Sequence, residues 1–249
     1  IYLGFSPCPN ACFMFDALIH GKIDTKNLFF EPVIEDVETL NKMAFAGKLD
    51  VTKLSYHAFA HLTQKYQLLT SGSALGFNCG PLLIALPGTV QKLAQDPGSL
   101  SSMQVAIPGK YTTANFLLSL AYPTLTNKVE MVFSEVERSV LSGQVDLGLI
   151  IHENRFTYQQ KGLVKIADLG EWWEKETQAA IPLGGIAVNR DLPNETKLLI
   201  NELVKQSVEY ALEKPADVMG FVKQHAQEMD EQVMKQHIDL YVNRYSVDL

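Results

Sequence analysis

The sequence predicts an α/β protein of two similar lobes, linked by two crossover strands, with a cleft between them. Three observations lead there. First, Ala46-Gly47-Lys48-Leu49-Asp50-Val51 is echoed by Ser142-Gly143-Gln144-Val145-Asp146-Leu147, with the two glycines and the two aspartates each 96 residues apart. Second, each copy begins with an apolar strand, a polar loop and an apolar helix. Third, a chain of 249 residues, 47% hydrophobic, is long enough to divide into two cores.

In the first copy the strand Tyr2–Phe5 leads through Ser6-Pro7-Cys8-Pro9-Asn10 into an apolar helix from Cys12 to Ile19. An acidic start, Glu35-Asp36-Val37-Glu38, then introduces a helix whose Val37, Leu40 and Met43 share one face at helical spacing. Gly47 follows, where a helix end needs the left-handed conformation, then an Asp-capped turn and the buried strand Leu49–Leu54. The second copy repeats the plan: Val105–Ile107, the loop Pro108-Gly109-Lys110-Tyr111-Thr112-Thr113, the helix Ala114–Leu120, the acidic Ser134-Glu135-Val136-Glu137, Gly143, and the strand Val145–Ile151. Two such βαβ-like units predict two small, largely parallel sheets. Gly80–Leu86 reads as a strand passing to the second lobe and Ile181–Val188 as its return. The tail from Glu195 keeps the helical period, broken at Lys214-Pro215. The expected lobes are therefore 1–86 plus 187–249, discontinuous, and 87–186, inserted.

The net charge of −7, without Lys/Arg clusters, argues against a nucleic-acid surface. No apolar run reaches the roughly 20 residues of a membrane span, so no membrane partner is expected. Three cysteines make no disulfide framework, which with the absence of a leader-like opening leads to the expectation of a cytoplasmic protein, monomer or homodimer.

Ligands of parallel α/β sheets bind beyond the carboxyl ends of the strands, where helix N-termini offer free N–H groups to anions. Ser6 and Asn10 in one lobe, and Thr112 and Thr113 in the other, add side-chain donors there; Asn10 and Thr113 equally suit plain helix N-caps. After the inner strands come Lys53, Ser55 and Tyr56 in the first lobe, His152 and Glu153 in the second. His152 stands 96 residues after Tyr56, at the matching edge, and an imidazole can take a proton near neutral pH. Glu153, its neighbour on a strand, points to the opposite side. His57 and His61, four apart, lack a third ligand, and Cys8 and Cys12 lack a second pair, so no metal site is predicted. His20, His225 and His237 read as surface or helix residues. Trp172-Trp173 suits either a lid or a ring packed on its lobe. No P-loop, dinucleotide fingerprint or Gly-x-Ser-x-Gly is present.

Ser6-Pro7-Cys8-Pro9-Asn10 with Phe13-Met14-Phe15-Asp16-Ala17-Leu18 and His20-Gly21 resembles the opening of the 1,4-dihydroxy-6-naphthoate synthase family of the futalosine route to menaquinone. Lys53-Leu54-Ser55-Tyr56, Pro108 to Ala114, Ile150-Ile151-His152-Glu153, Trp172-Trp173 and Pro182-Leu183-Gly184-Gly185 follow in the same order. The resemblance implies a type II periplasmic-binding-protein-like fold acting as a lyase. It would convert cyclic dehypoxanthinyl futalosine, a carboxylate, to 1,4-dihydroxy-6-naphthoate and dihydroxyacetone, with no metal or redox cofactor. By the same resemblance His152 is the proton acceptor, and Lys53, Leu54, Ser55, Thr113 and Ala114 contact substrate. Where that family has Asp-Thr after the asparagine, this chain has Ala11-Cys12. The alternatives are a solute-binding protein for a small carboxylate or oxyanion, and a sister enzyme such as a chorismate dehydratase, which the opening motif and His152 disfavour.

Overall fold

The computed structural model describes residues 1–226 and 230–249. The chain forms two units, Ile1–Gly76 with Pro182–Leu249, and Phe77–Ile181.

The first unit opens with β1 (Tyr2–Phe5), α1 (Pro9–Ile19), β2 (Glu31–Ile34), α2 (Val37–Phe45) and β3 (Val51–Ser55). β1 lies between β2 and β3 and is parallel to both. Asp36 starts α2 by accepting the N–H groups of Glu38 and Thr39. Gly47, at φ +68°, ends it in the left-handed region as expected. Asp50 does not cap its own turn. Its carboxylate accepts the N–H of Tyr2 at 2.8 Å, latching the entry of β3 to the start of β1. The short helix α3 (Tyr56–Ala60) and strands β4 (Tyr66–Leu68) and β5 (Ala74–Gly76) complete this half.

The second unit contains β6 (Leu82–Ala85), α4 (Pro87–Gln95), β7 (Val105–Ile107), α5 (Thr113–Ala121), β8 (Lys128–Glu130), α6 (Phe133–Leu141), β9 (Leu147–Ile150), α7 (Asn154–Thr157), β10 (Val164–Asp168) and α8 (Leu169–Thr177). The repeat is structural. β7 lies parallel between β8 and β9, Gly143 takes φ +72°, and Asp146 accepts the N–H of Gln104 at 2.8 Å.

The chain returns as β11 (Ile181–Asn189), followed by α9 (Asn194–Glu213), α10 (Pro215–His225), α11 (Glu231–Tyr241) and α12 (Arg244–Val247). The sheets are mixed rather than largely parallel. Among the described residues the first runs β2-β1-β3-β11-β4 with β5 on β11, and the second β10-β6-β9-β7-β8. β11 is antiparallel to β3 and β4, and β6 is antiparallel to β9 and β10. Neither expected crossover strand is shared between sheets. A strand buried on both faces satisfies its backbone in one ladder, and the ladder of β6 lies wholly in the second sheet. The change of unit therefore precedes Leu82–Ala85 instead of following residue 86.

α1 is buried from Pro9 to Leu18. A helix apolar on every side needs neighbours on every side, and α9, α10 and α11 supply them alongside the sheet. Ser207 of α9 donates to the Met14 carbonyl at 2.6 Å and accepts the Leu18 N–H at 3.1 Å. Asp16, the one buried carboxylate on α1, is met by Lys22 at 2.5 Å and His20 at 2.8 Å. No helix among the described residues is long and apolar enough to cross a membrane.

Candidate functional site

In the first unit the loop after β1 delivers Ser6, Cys8 and Asn10 to the entrance of α1. The N-cap is Cys8, in extended geometry and without a side-chain cap bond, and Asn10 lies inside the first turn. Asn10 is thus not a cap. Its Oδ1 accepts from Cys8 Sγ at 2.9 Å and meets Nε2 of His237 at 3.0 Å. Ser6 Oγ lies 2.8 Å from Cys8 Sγ. From β3, Lys53 Nζ reaches Ser6 Oγ at 3.2 Å and Cys8 Sγ at 3.3 Å. All five side chains are buried, with His237 at 0% exposure and Lys53 at 6%. Burial alone would push the Cys8 thiol up. The Lys53 ammonium, with the His237 imidazole and the Ser6 hydroxyl, outweighs it and brings the thiol from an ordinary 9.0 to about 6.

The other expected residues of β3, and Tyr56 at the start of α3, are held separately. Ser55 donates its N–H to Asn41 Oδ1 at 3.1 Å, and its hydroxyl accepts from Asn41 Nδ2 at 3.3 Å. The Tyr56 hydroxyl pairs with Ser73 Oγ at 2.8 Å. Burial raises the Tyr56 pKa, and the Ser73 bond opposes the shift. Leu54 turns its side chain into an apolar cluster with Ala44, Leu62, Tyr66 and Ala187.

In the second unit Thr112, not Thr113, caps α5. Its hydroxyl accepts the Asn115 N–H at 3.2 Å and donates to the Gly109 carbonyl at 2.8 Å. Thr113 and Ala114 are the first helical residues, both nearly buried. His152 follows β9 with φ +58°, a conformation that L-residues rarely adopt. The half-buried ring of His152 meets that of Phe133 edge-on at 4.8 Å between centroids. Glu153 is buried at 1% exposure and starts α7. Arg155 clamps this turn, donating to the Gly80 carbonyl and pairing with Asp168 at 3.0 Å. Trp173 donates to the Ala180 carbonyl at 3.2 Å.

Two groups escaped the sequence reading. His237 was expected as a surface or helix residue, yet it is fully buried at the α1 entrance. A signal was present: Met234, His237, Ile238 and Tyr241 form one helical face, and all are buried. Cys8 was weighed only as a metal ligand. The family departure at Ala11-Cys12 lies in the apolar core beside Phe5 and Phe15, where both side chains are fully buried. A thiol and a methyl suit that environment better than an uncompensated carboxylate would.

These arrangements place hydrogen-bond donors at a helix N-terminus in the first unit and an imidazole at a strand end in the second. Two mixed sheets, each built on one β-α-β-α-β repeat, with the second unit inserted into the first, define the class. The structure has the fold of periplasmic binding proteins. The alkanesulfonate-binding protein SsuA of Xanthomonas axonopodis pv. citri, bound to MOPS, superposes with TM-score 0.70 over 97% of this chain and 83% of that one. Its identity is 12%, which carries the fold alone. A narrower match follows. The menaquinone biosynthesis family model covers residues 1–249, and the chain belongs to that family. A 1,4-dihydroxy-6-naphthoate synthase of Thermus thermophilus is 45% identical over 247 residues, 99% of this chain and 87% of the relative. Protein AF1704 of Archaeoglobus fulgidus is 36% identical with TM-score 0.91, over 100% of this chain and 90% of that one.

Proposed function

We propose that this chain is a 1,4-dihydroxy-6-naphthoate synthase, a carbon–carbon lyase that converts cyclic dehypoxanthinyl futalosine to 1,4-dihydroxy-6-naphthoate and dihydroxyacetone. The observation that carries the reading is the full-length match to the menaquinone biosynthesis family together with the 45% identical synthase. The solute-binding alternative draws on fold likeness at 12% identity, and fold does not specify function.

The residues support a division of labour. Lys53, Ser6 and the first turn of α1 hold the substrate carboxylate; a helix N-terminus contributes about 0.3–1 kcal/mol to an anion, and a buried ammonium adds to it. Ser55, Tyr56 and the α5 entrance at Thr112, Thr113 and Ala114 orient the remaining polar groups, and Asn10 buttresses the α1 entrance. His152 takes a proton from a substrate hydroxyl. The oxygen becomes a carbonyl as the adjacent carbon–carbon bond breaks, and the released electron pair is taken up by the departing fragment. Gain of aromaticity in the naphthalenediol drives this retro-aldol step, and N–H donors steady the developing oxyanion. Three cysteines outside any disulfide fit a reducing compartment, and we assign the protein to the cytoplasm.

The test is direct. Purified protein is incubated with cyclic dehypoxanthinyl futalosine and the naphthoate is followed by chromatography, then the assay is repeated with His152→Ala. Absence of product from the native protein removes the lyase reading. Undiminished turnover by the variant removes His152 as the base.

A further inference from the structure

Lys53 is a buried cation whose partners among the described residues are a hydroxyl and a thiol, with no carboxylate. An ammonium taken out of water with neutral partners alone costs several kcal/mol, so this environment demands a negative charge. Among the described residues one group hydrogen-bonded to Nζ can supply it. Cys8 Sγ stands 3.3 Å away, 2% exposed, at the N-terminus of an eleven-residue helix. Both the cation and the helix end favour a thiolate.

We infer that Cys8 is the counter-ion of Lys53 in the ligand-free protein, and that it yields the ammonium to an incoming carboxylate by taking up a proton. Asn10 makes the exchange structurally inexpensive. As a thiol, Cys8 donates to Asn10 Oδ1 at 2.9 Å, the carbonyl oxygen that also meets His237 Nε2. As a thiolate it needs donors instead. A half-turn of the Asn10 amide points Nδ2 at the sulfur, while Ser6 and Lys53 donate from their own sides. The titratable groups of this unit that face the sulfur are Lys53 on β3 and His237 on α11. Both lower its pKa, and the result, about 6, places the thiolate in the majority at neutral pH. Another thiol shows the contrast: burial raises Cys79 to about 12.

When a carboxylate binds Lys53, sulfur and ligand compete for one positive charge. The sulfur is the partner able to discharge itself by protonation near neutral pH. Ligand binding is then accompanied by uptake of one solvent proton onto Cys8, with no covalent step. This second half rests on the lyase reading, because it assigns the ligand carboxylate to Lys53.

Two measurements test it. Thiolate absorbance near 240 nm, taken against pH on ligand-free protein and referenced to Cys8→Ser, should show a step with a midpoint near 6. Lys53→Met should move that midpoint upward by at least one pH unit, a tenfold loss of thiolate, whereas Lys53→Arg should leave it nearly in place. A native midpoint at 8 or above, or one indifferent to both substitutions, overturns the ion pair. Calorimetric binding of 1,4-dihydroxy-6-naphthoate at pH 7.5, in buffers of different ionisation enthalpy, should show close to one proton taken up, lost in Cys8→Ser. Equal uptake by that variant, or none by the native protein, overturns the exchange. Failure of the naphthoate to bind overturns the exchange together with the lyase reading and leaves the absorbance result standing.

Discussion

At the end of β9 the His152 backbone holds φ +58°, where a Cβ crowds the following carbonyl at a cost of about 1–2 kcal/mol. Glycine carries no such cost, although its greater freedom in the unfolded chain returns about 0.4–1 kcal/mol of it. The net expectation is that His152→Gly is more stable than His152→Ala by about 0.5–1 kcal/mol. Both variants lose the edge-on contact with Phe133, so that contribution cancels in the comparison. Against the native protein it does not cancel. An aromatic pair is worth about 0.5–1.5 kcal/mol, which leaves the glycine variant within about 1 kcal/mol of native stability. Urea denaturation followed by tryptophan fluorescence suits the measurement, because both tryptophans of the sequence, Trp172 and Trp173, lie in the second unit with His152. Neither variant should form the naphthoate. If alanine proves as stabilising as glycine, residue 152 is not held left-handed and the strain reasoning fails.

Asp168→Ala should cost about 2–4 kcal/mol in the same assay, since it strands the part-buried Arg155 guanidinium and uncaps α8 at Gly170 and Glu171. A loss below 1 kcal/mol would show that the pair holds nothing in place. Gly80→Ala should destabilise the second unit at or beyond the upper end of the usual 1–3 kcal/mol for overpacking, because its Cβ would stand 2.3 Å from the backbone of Gly170. Unaltered urea resistance would refute that close approach. The Cys8 thiol is lower folded, at about 6, than its ordinary 9.0. Between those values the unfolded chain binds more protons, so stability should rise with pH from 6 to 9 and fade as pH drops through 6. The gain is at most about 4 kcal/mol by the pKa difference, and Cys8→Ser should abolish it. An identical pH slope in the variant would contradict the depressed pKa.

The duplicated plan was legible because its punctuation is covalent and local. Gly47 and Gly143 sit where only a left-handed residue ends the helix, and a fixed offset ties Asp50 to Asp146. Their partners were not legible, since the N–H of Tyr2 and that of Gln104 lie more than forty residues away in the chain. Strand direction was misread for the same reason. The runs Leu82–Ala85 and Ile181–Asn189 show apolar character, but antiparallel pairing with β9 and β3 is settled by which edge is vacant in three dimensions. At the site, residue types were easier than positions. Thr112 rather than Thr113 caps α5, a one-residue shift that the hydroxyl pattern alone cannot resolve. At His237 the apolar face shared with Met234, Ile238 and Tyr241 was legible as a period, but its partner Asn10, 227 residues away in the chain, was not.

The enclosure of α1 has a consequence for biosynthesis. This early helix buries almost every face, and much of its covering comes from α9, α10 and α11. A nascent chain leaving the ribosome exposes Phe13, Met14 and Phe15 long before those helices are translated. The second unit, by contrast, is one uninterrupted stretch and can close as soon as it emerges. The first unit is begun first and finished last, and the interval leaves its oily opening segment exposed to aggregation.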